Sequence, residues 1–297
     1  MSQTLSPSTN RKYGRTRVLR EWELSRSTFY ARQQRARNPI SPQRRGPKTT
    51  HTDTELTEAI REEITASPFH GEGHRKLWAR LRFHGIRTSK TRVLRLMREN
   101  QLLAPQRQLA AIPPKPHDGT IVTEYPNQMW GVDATQTITL ANGAVTIFAG
   151  IDHASADCIG IHAVKRANRF EALEPIRQGV KEHFGAFRKD ASVGLKIRHD
   201  HGSQFMSDDF QKEIRFLGMK SSPAFVREPE GNGCIERFFR TLKEQLLWVR
   251  HFQDLEELGQ ALVEFRDRYN REWLIERLGY QSPQQARERL LALEQAA

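Results

Sequence analysis

The clearest alternation of hydrophobic and polar positions lies in the middle of the chain. Strands place successive side chains on opposite faces, so a period of two predicts a half-buried strand. Three segments either alternate in this way or are short apolar runs: residues 129–140, 144–151 and 159–164. A helix is predicted at about residues 168–184, and a short strand at Leu195–Asp200. This order of elements predicts a mixed sheet with helices packed on it.

The regions on either side of this α/β part have helical patterns. From residue 231 the chain is predicted to be helical to its end, apart from a turn near Gly279–Pro283. Residues 15–36 and 73–99 each have the pattern helix, short turn, helix, and the second helix begins with hydroxyl and basic residues. A recognition helix in the DNA major groove needs such residues. We therefore predict DNA contacts from Ser27, Thr28, Arg32, Ser89, Lys90, Arg92 and Arg95. The alternative is a plain helical bundle with solvated Arg and Lys side chains.

Two proline-rich stretches predict linkers between the parts of the chain. The predicted parts are a basic helix-turn-helix-like segment (1–36), a linker (37–50), a second helix-turn-helix-like domain (51–103), a proline-rich linker (104–126), an α/β core (127–250) and a C-terminal helical segment (251–297).

The positive charge is concentrated in the N-terminal part. The formal net charge is +12. Residues 1–126 contain 24 Lys and Arg against 11 Asp and Glu, whereas residues 127–297 contain 23 against 24. A basic segment attached to a nearly neutral body predicts binding to a polyanion, most commonly nucleic acid. The alternative is a soluble protein whose positive charge does not serve to bind a polyanion.

Composition also excludes several classes of protein. No apolar run approaches the roughly 18 residues of a membrane helix, and the N-terminus is polar and basic. We therefore expect a cytoplasmic protein without membrane contacts. The two cysteines, Cys158 and Cys234, are too few for a disulfide framework or a Cys-rich zinc site. We expect reduced thiols and no zinc.

Carboxylates are the candidate catalytic groups. Phosphodiester chemistry with two metal ions needs carboxylates that converge at strand ends and on a helix, because hard divalent cations prefer oxygen ligands. An Asp followed 36 positions later by a Glu occurs twice, as Asp200 with Glu236 and as Asp208 with Glu244. With 11 Asp and 24 Glu in the chain, chance alone predicts about one such pair. The sequence around each pair must therefore decide between them.

The surroundings favour the first pair. Asp200 ends an apolar strand, and Glu236 lies at the edge of the apolar stripe of a helix for which Asn232 is the expected N-cap. The position of Asp208 is explained by the helix that begins beside it, because the helix dipole favours an acidic side chain in the first turn. Asp133, in the first strand, is costly to bury unless another group receives its charge. Asp133, Asp200 and Glu236 are therefore predicted to act together, although each alone could be a solvated charge.

Three blocks of sequence surround these acids: Trp130-Gly-Val-Asp133, Arg198-His-Asp200-His-Gly-Ser-Gln-Phe205 and Asn232-Gly-Cys-Ile-Glu236-Arg-Phe-Phe-Arg-Thr-Leu-Lys243. They resemble the three acidic blocks of the retroviral-integrase-like DDE recombinases. More narrowly, they resemble those of the OrfB transposases of the third numbered family of bacterial insertion sequences. Tyr269-Asn270 and Gly279-Tyr280-Gln-Ser-Pro283 are similar to that family's C-terminal signature.

The resemblance implies an RNase H-like α/β catalytic core at residues 127–250, preceded by all-α helix-turn-helix segments. It implies that Asp133, Asp200 and Glu236 are the catalytic, metal-binding triad and that the metal is Mg²⁺, with Mn²⁺ as a substitute. The implied activity is cleavage of element ends and their joining to DNA by two-metal hydrolysis and strand transfer. The implied partners are double-stranded DNA, further copies of the chain on that DNA and the product of an upstream A frame. Such a protein is nucleoid-associated when it is bound to DNA.

The chain departs from the family pattern in two places. Many relatives have Asp-Asn ahead of the catalytic Glu, where this chain has Asn232-Gly233, and His201 stands where another residue is usual. His199 and His201 flank Asp200, and we expect them to orient it or to be structural.

Two cations follow Glu236 on the same side of its predicted helix. Arg240 and Lys243 lie 4 and 7 positions after it. We predict that they grip DNA phosphates beside the scissile bond. The alternative is a solvated pair that balances Glu236 and Glu244. For the whole protein, the alternatives are a non-catalytic DNA-binding regulator of transposition and a sequence-independent RNase H-like nuclease.

Overall fold

The computed structural model describes residues 3–37, 50–104, 122–224 and 232–296. The chain divides into two units, Met1–Thr50 and His51–Ala297, each of which packs mainly against itself. Most of each predicted linker lies outside the described residues. No helix in the described part of the chain has the length and apolar character needed to cross a bilayer.

The first unit contains helices α1 (Arg15–Glu21) and α2 (Arg26–Arg37). They lie where the first helix-turn-helix pattern is predicted. The backbone N of Thr28 donates to Ser25 Oγ at 3.1 Å, so a hydroxyl caps the start of α2. Leu19 is the buried residue of α1, and α2 has none. This helix pair therefore has a very small apolar core.

Residues 51–104 form a three-helix domain. Its helices are α3 (Asp53–Ala66), α4 (His74–Phe83) and α5 (Lys90–Glu99). Helix α3 begins with a capping box in which the side chains of Thr52 and Glu55 each accept from the other's backbone N. The buried side chains form one apolar core: Leu56, Ile60, Leu77, Leu81, Val93, Leu96 and Met97.

Five strands form one mixed sheet: β1 (Met129–Thr139), β2 (Gly143–Asp152), β3 (Cys158–Val164), β4 (Lys196–His199) and β5 (Lys220–Pro223). Their order across the sheet is β3-β2-β1-β4-β5. The pairs β1–β2 and β2–β3 are antiparallel, whereas β1–β4 and β4–β5 are parallel. The predicted mixed α/β core is confirmed.

Strand β5 is absent from the sequence-based prediction. Its residues, Lys-Ser-Ser-Pro, have neither alternating hydrophobicity nor the β-branched or aromatic side chains that favour strands. It forms because β4 offers a free edge for backbone pairing. Pro223 is tolerated there because β5 is itself an edge strand.

Helices cover both faces of the sheet. On one face, Trp130, Val132 and Ile197 share an apolar cluster with α6 (Glu174–Phe184), α7 (Ser203–Met206) and α8 (Asp208–Phe216). A short 3₁₀ turn, Glu171–Leu173, precedes α6. On the other face, alternate residues of β2 pack against α9 (Gly233–Leu242) and α10 (Leu255–Glu272).

The C-terminal part is helical, as the sequence predicts. Helix α9 continues into a π-helical turn, Lys243–Leu247. After α10, a 3₁₀ turn at Glu276–Leu278 leads to helix α11 (Pro283–Ala296). The predicted turn near 279–283 therefore lies between α10 and α11.

The three-helix domain packs against this C-terminal part within the second unit. The backbone N of His70 donates to Gln245 Oε1 at 2.8 Å, and Gln245 Nε2 donates to the His70 carbonyl at 2.9 Å. Phe69 belongs to the same apolar cluster as α9 and α10, and its ring lies edge-on to Trp273 with centroids 4.9 Å apart. Through Phe69, the three-helix domain therefore contributes to the core below the sheet.

Candidate active site

Strands β1 and β4 bring two of the predicted carboxylates to the same place. The strands are parallel neighbours, and their last paired residues are Gly131 and Arg198. Asp133, within β1, and Asp200, directly after β4, each lie two residues beyond that pair and therefore at the same level of the sheet. Since Val132 points to the α6 face, alternation places Asp133 on the face covered by α9.

The backbone at Asp200 is fixed by its neighbours. Asp200 Oδ1 accepts from the backbone N of Gly202 at 2.8 Å. His199 is fully buried, with Nδ1 2.6 Å from the Asp200 carbonyl oxygen and Nε2 2.8 Å from Ser221 Oγ. Because a carbonyl only accepts, Nδ1 carries the proton and Nε2 accepts from the hydroxyl. Burial lowers the pKa of His199, which keeps the ring neutral. His199 thus has the orienting contact that the sequence suggests, whereas His201 is exposed.

Glu236 lies in the first turn of α9, where the helix dipole favours a carboxylate. Its side chain is exposed. Asn232 is the N-cap residue of this helix, as expected, but its side chain makes no capping hydrogen bond. Asn232 Nδ2 instead donates to the carbonyl oxygen of Val132 in β1 at 3.2 Å.

Asp133 is electrostatically coupled to the other two acids. Burial raises the pKa of Asp133 to about 6, and the charges of Asp200 and Glu236 also raise it. The backbone N of Ala134, which donates at 2.8 Å, and the charge of Lys243 lower it. Asp200, Glu236 and Lys243 therefore each lie within electrostatic reach of Asp133.

The raised pKa of Asp133 predicts a pH-dependent stability. The folded state holds this proton more tightly than the unfolded state, whose carboxyl has its ordinary pKa of 3.8. The stabilisation is complete below pH 3.8 and is lost as the pH rises through about 6. Asp133→Asn should therefore raise the free energy of unfolding by about 3 kcal/mol at pH 7.5 and very little at pH 4.

Urea unfolding of both proteins at the two pH values, without divalent metal, measures this difference. Asp208→Asn is the control, because Asp208 is exposed at the start of α8. An Asp133→Asn effect that is equal at the two pH values would contradict the burial of a charged carboxylate.

The two predicted cations of α9 differ in their environment. Lys243 is half-buried at the point where α9 becomes the π-helical turn, and its charge reaches Asp133. Arg240 is exposed on the last turn of α9. Lys243 is therefore the closer of the two to the carboxylates in electrostatic terms.

The predicted DNA contacts of α5 already have protein partners. Arg92 and Arg95 both pair with Asp53, at 2.6 and 2.5 Å. Ser89 Oγ accepts from the backbone N of Arg92 and caps the helix. Asp53 is not among the residues predicted to be functional. Asp53 directly follows the N-cap Thr52 within the Thr52-x-x-Glu55 capping pattern, and this position in the first turn of α3 is the sequence signal that could have revealed it.

Lys90, the first residue of α5, contacts the C-terminal part of the chain. Its Nζ donates to Tyr280 Oη at 3.1 Å and lies 4.6 Å from the ring centroid of Trp78. Trp78 and Tyr280 pack edge to face, with centroids 5.7 Å apart. Nothing in the local sequence of α5 indicates this contact, because its partner lies 190 residues away.

The predicted contacts in the first unit lie on a solvent-facing helix. Arg32 is exposed on α2. Ser27 and Thr28 are also exposed, and their hydroxyls lie 2.9 and 2.8 Å from Ser25 Oγ. These side chains are therefore accessible to a ligand.

The donor chemistry of the site fits a hard divalent cation. In the described ranges no group of three or more His, Cys, Asp and Glu side chains is spaced to hold a metal ion. Magnesium, however, is usually bound through one or two carboxylates, waters and substrate phosphates rather than a closed protein cage. Asp133 and Asp200 supply such oxygens, and a cation beside Asp133 would offset the electrostatic cost that raises its pKa.

Comparison with known proteins agrees with this architecture. Residues 51–108 match the family model of an HTH-like domain, and residues 217–283 match that of an integrase core domain. The chain is 26% identical over 249 residues to transposase InsD for insertion element IS2D of Escherichia coli (strain K12), which covers 81% of each chain. The chain is thus similar to transposases of insertion elements and carries a match to an integrase core domain.

Further proteins are also similar to this chain. Transposase InsD for insertion element IS2-9 of the same strain is also 26% identical, over 81% of this chain and 79% of that protein. The catalytic core domain of BIV integrase is 19% identical and covers 57% of this chain and 97% of its own, with a TM-score of 0.42. The HTLV-2 integrase catalytic core domain in complex with magnesium is 17% identical. The match covers 55% of this chain and 97% of that chain, with a TM-score of 0.41.

Proposed function

We propose that this chain is a DDE-type transposase that cleaves the ends of its insertion element and joins them to target DNA. The observation that carries the proposal is the placement of Asp133 and Asp200 at the same level of the parallel neighbours β1 and β4, with Glu236 in the first turn of α9, which packs on β1. The three acids come from distant parts of the sequence. The InsD transposases that the chain resembles support the same interpretation.

The side chains of the site then have distinct roles. Asp133, Asp200 and Glu236 would hold Mg²⁺, or Mn²⁺ in its place. When bound there, the metal would supply activation of an attacking hydroxyl and stabilisation of a leaving oxygen. His199 holds the backbone of Asp200. Lys243 and Arg240 bind the DNA phosphates beside the scissile bond, which offsets the repulsion between the acidic site and the DNA.

The N-terminal helices supply the remaining DNA contacts. Ser27, Thr28 and Arg32 are exposed on α2 and bind DNA directly. Arg92 and Arg95 reach DNA when a phosphate replaces Asp53 as their partner. Ser89 and Lys90, at the start of α5, complete this set.

The acidic blocks also support a narrower assignment. We propose that the chain is an OrfB transposase of the third numbered family, that several copies assemble on DNA, and that it works with an upstream A-frame product. This places the protein in the bacterial cytoplasm, at the nucleoid when it is bound to DNA.

A cleavage assay tests the proposed activity. The full chain is incubated with labelled duplexes that carry the inverted repeats flanking its gene, with Mg²⁺, with Mn²⁺ or with EDTA. We expect metal-dependent nicking at the repeat end and joining to a second duplex. A scrambled duplex of the same composition is the control. A regulator would bind the repeats without cutting them, and a sequence-independent nuclease would cut both duplexes equally.

A further inference from the structure

A buried amide joins the helix of Glu236 to the strand of Asp133. Asn232 is 5% exposed, and its Nδ2 donates to the carbonyl oxygen of Val132 at 3.2 Å. Val132 directly precedes Asp133, and Asn232 lies four residues before Glu236. This hydrogen bond therefore connects the two elements that carry the acids, close to both of them.

The side chain of Asn232 hydrogen-bonds to the strand rather than to the backbone of its own helix. An Asn at a helix start usually accepts a hydrogen bond from the backbone of the first turn, which stabilises the helix. Here no capping bond is made, and Asn232 Oδ1 has no hydrogen-bond partner among the described residues. The geometry at this position thus favours the contact with β1 over the stability of α9 alone.

The strand is shaped to receive this amide. A Cβ on Gly131 would lie 2.7 Å from Asn232 Oδ1 and 2.8 Å from His153 Nε2, which is closer than real Cβ atoms approach. Glycine is therefore required at 131 while Asn232 keeps its place. Burial lowers the pKa of His153 to about 4, with Arg277 and Arg198 adding to the effect, so that the ring beside the amide is neutral.

The other contacts of α9 with the sheet are not directional. Ile235, Phe238, Phe239 and Leu242 pack into the apolar cluster below it. Such packing depends mainly on the area in contact and has no preferred direction. Among the described residues, the bond from Asn232 is the side-chain hydrogen bond that links the start of α9 to β1. It fixes the helix along the strand in a way that apolar packing does not.

We propose that Asn232 is a positioning residue that sets the Glu236 helix against the Asp133 strand, so that both acids reach the same Mg²⁺. This inference rests on the proposed function. Residues that orient metal ligands typically change metal affinity about 10- to 100-fold when they are mutated. Removal of the amide should therefore weaken Mg²⁺ binding more than it weakens the fold.

Asn270 provides a matched control. It is also a buried asparagine that ties a helix, α10, to a strand backbone: its Oδ1 accepts from the Cys158 N at 2.9 Å and its Nδ2 donates to the Cys158 carbonyl at 3.1 Å. Cys158 begins β3, which is separated from β1 and β4 by β2. Asn270→Ala therefore removes the same kind of bond without touching the acids.

The experiment compares full-length Asn232→Ala, Asn270→Ala and the parent. One readout is the rise in melting temperature with Mg²⁺ concentration in the absence of DNA, and the other is the Mg²⁺ concentration that gives half-maximal end cleavage. For Asn232→Ala we expect both midpoints to rise at least about tenfold, with cleavage partly restored at high Mg²⁺. For Asn270→Ala we expect a lower melting temperature and unchanged midpoints. Gly131→Ala, which displaces the Asn232 amide, should resemble Asn232→Ala.

Two outcomes would overturn the role of Asn232. One is parental Mg²⁺ midpoints in both Asn232→Ala and Gly131→Ala, and the other is an equal rise of the midpoints in Asn232→Ala and Asn270→Ala. If the parent itself shows no Mg²⁺ dependence in either readout, the proposed metal-dependent activity fails, and the role of Asn232 fails with it.

Discussion

Replacing Asp200 by asparagine, or Glu236 by glutamine, should lower end cleavage and joining by about a thousandfold or more, because a metal ligand contributes several kcal/mol to stabilising the transition state. Neither change removes an apolar contact, since Asp200 and Glu236 are exposed. DNA binding in EDTA should be unchanged, because the basic residues remain in place. The same reduction in activity is expected for Asp133→Asn, whose fold is stabilised rather than weakened at neutral pH.

The chain contains its own control for this prediction. Asp208 and Glu244 have the same 36-residue spacing, and both can be made neutral in the same way. Asp208 lies in the first turn of α8, on a different element from any of the three acids. Single-turnover cleavage of a labelled repeat end measures all the variants. An Asp200→Asn or Glu236→Gln protein within roughly tenfold of the parent would remove that residue from the triad.

A deletion series should separate the DNA-binding arm from the folded body. Residues 1–50 contain 12 Lys and Arg against 2 Glu, and they form a unit of their own. Removing them should change the melting temperature of the remainder by less than about 3 °C. The slope of the logarithm of DNA affinity against the logarithm of salt concentration should become shallower by about 0.9 for each phosphate that the arm neutralises.

Removing residues 1–126 should instead unfold the protein. That deletion takes away Phe69, which is part of the core below the sheet, and uncovers Trp273, Leu274 and Tyr280. Each large apolar side chain that becomes exposed lowers the free energy of unfolding by about 1.5–3 kcal/mol. Several such side chains together approach the whole stability of a typical domain, about 5–15 kcal/mol.

Circular dichroism and thermal melts of the 51–297 and 127–297 proteins test this difference. Phe69→Ala in the full chain is a milder change than the deletion, and it should lower the free energy of unfolding without removing charge. If 127–297 melted cooperatively near the temperature of 51–297, the packing of the three-helix domain on the C-terminal helices would not support the fold.

Local patterns predicted the elements that depend on their own residues. The alternation in 129–140 predicted β1 because each second residue is buried on one face of the sheet. Asp133, Asp200 and Glu236 stood out because each acid follows or interrupts an apolar pattern. The edge strand β5 was not predicted, because it is stabilised by backbone pairing with β4 and its own side chains show no strand pattern.

The sequence by itself determined the kinds of element, the uneven distribution of charge and the three acids with their surrounding blocks. Only the tertiary structure decided which residues share an environment. It raised the pKa of Asp133 to about 6, directed the side chain of the N-cap residue Asn232 to β1, and placed Lys90 against Tyr280. The physical reason is that burial, Coulomb interactions and hydrogen bonds depend on distance in space, whereas the periodicity that predicts helices and strands depends only on distance along the chain.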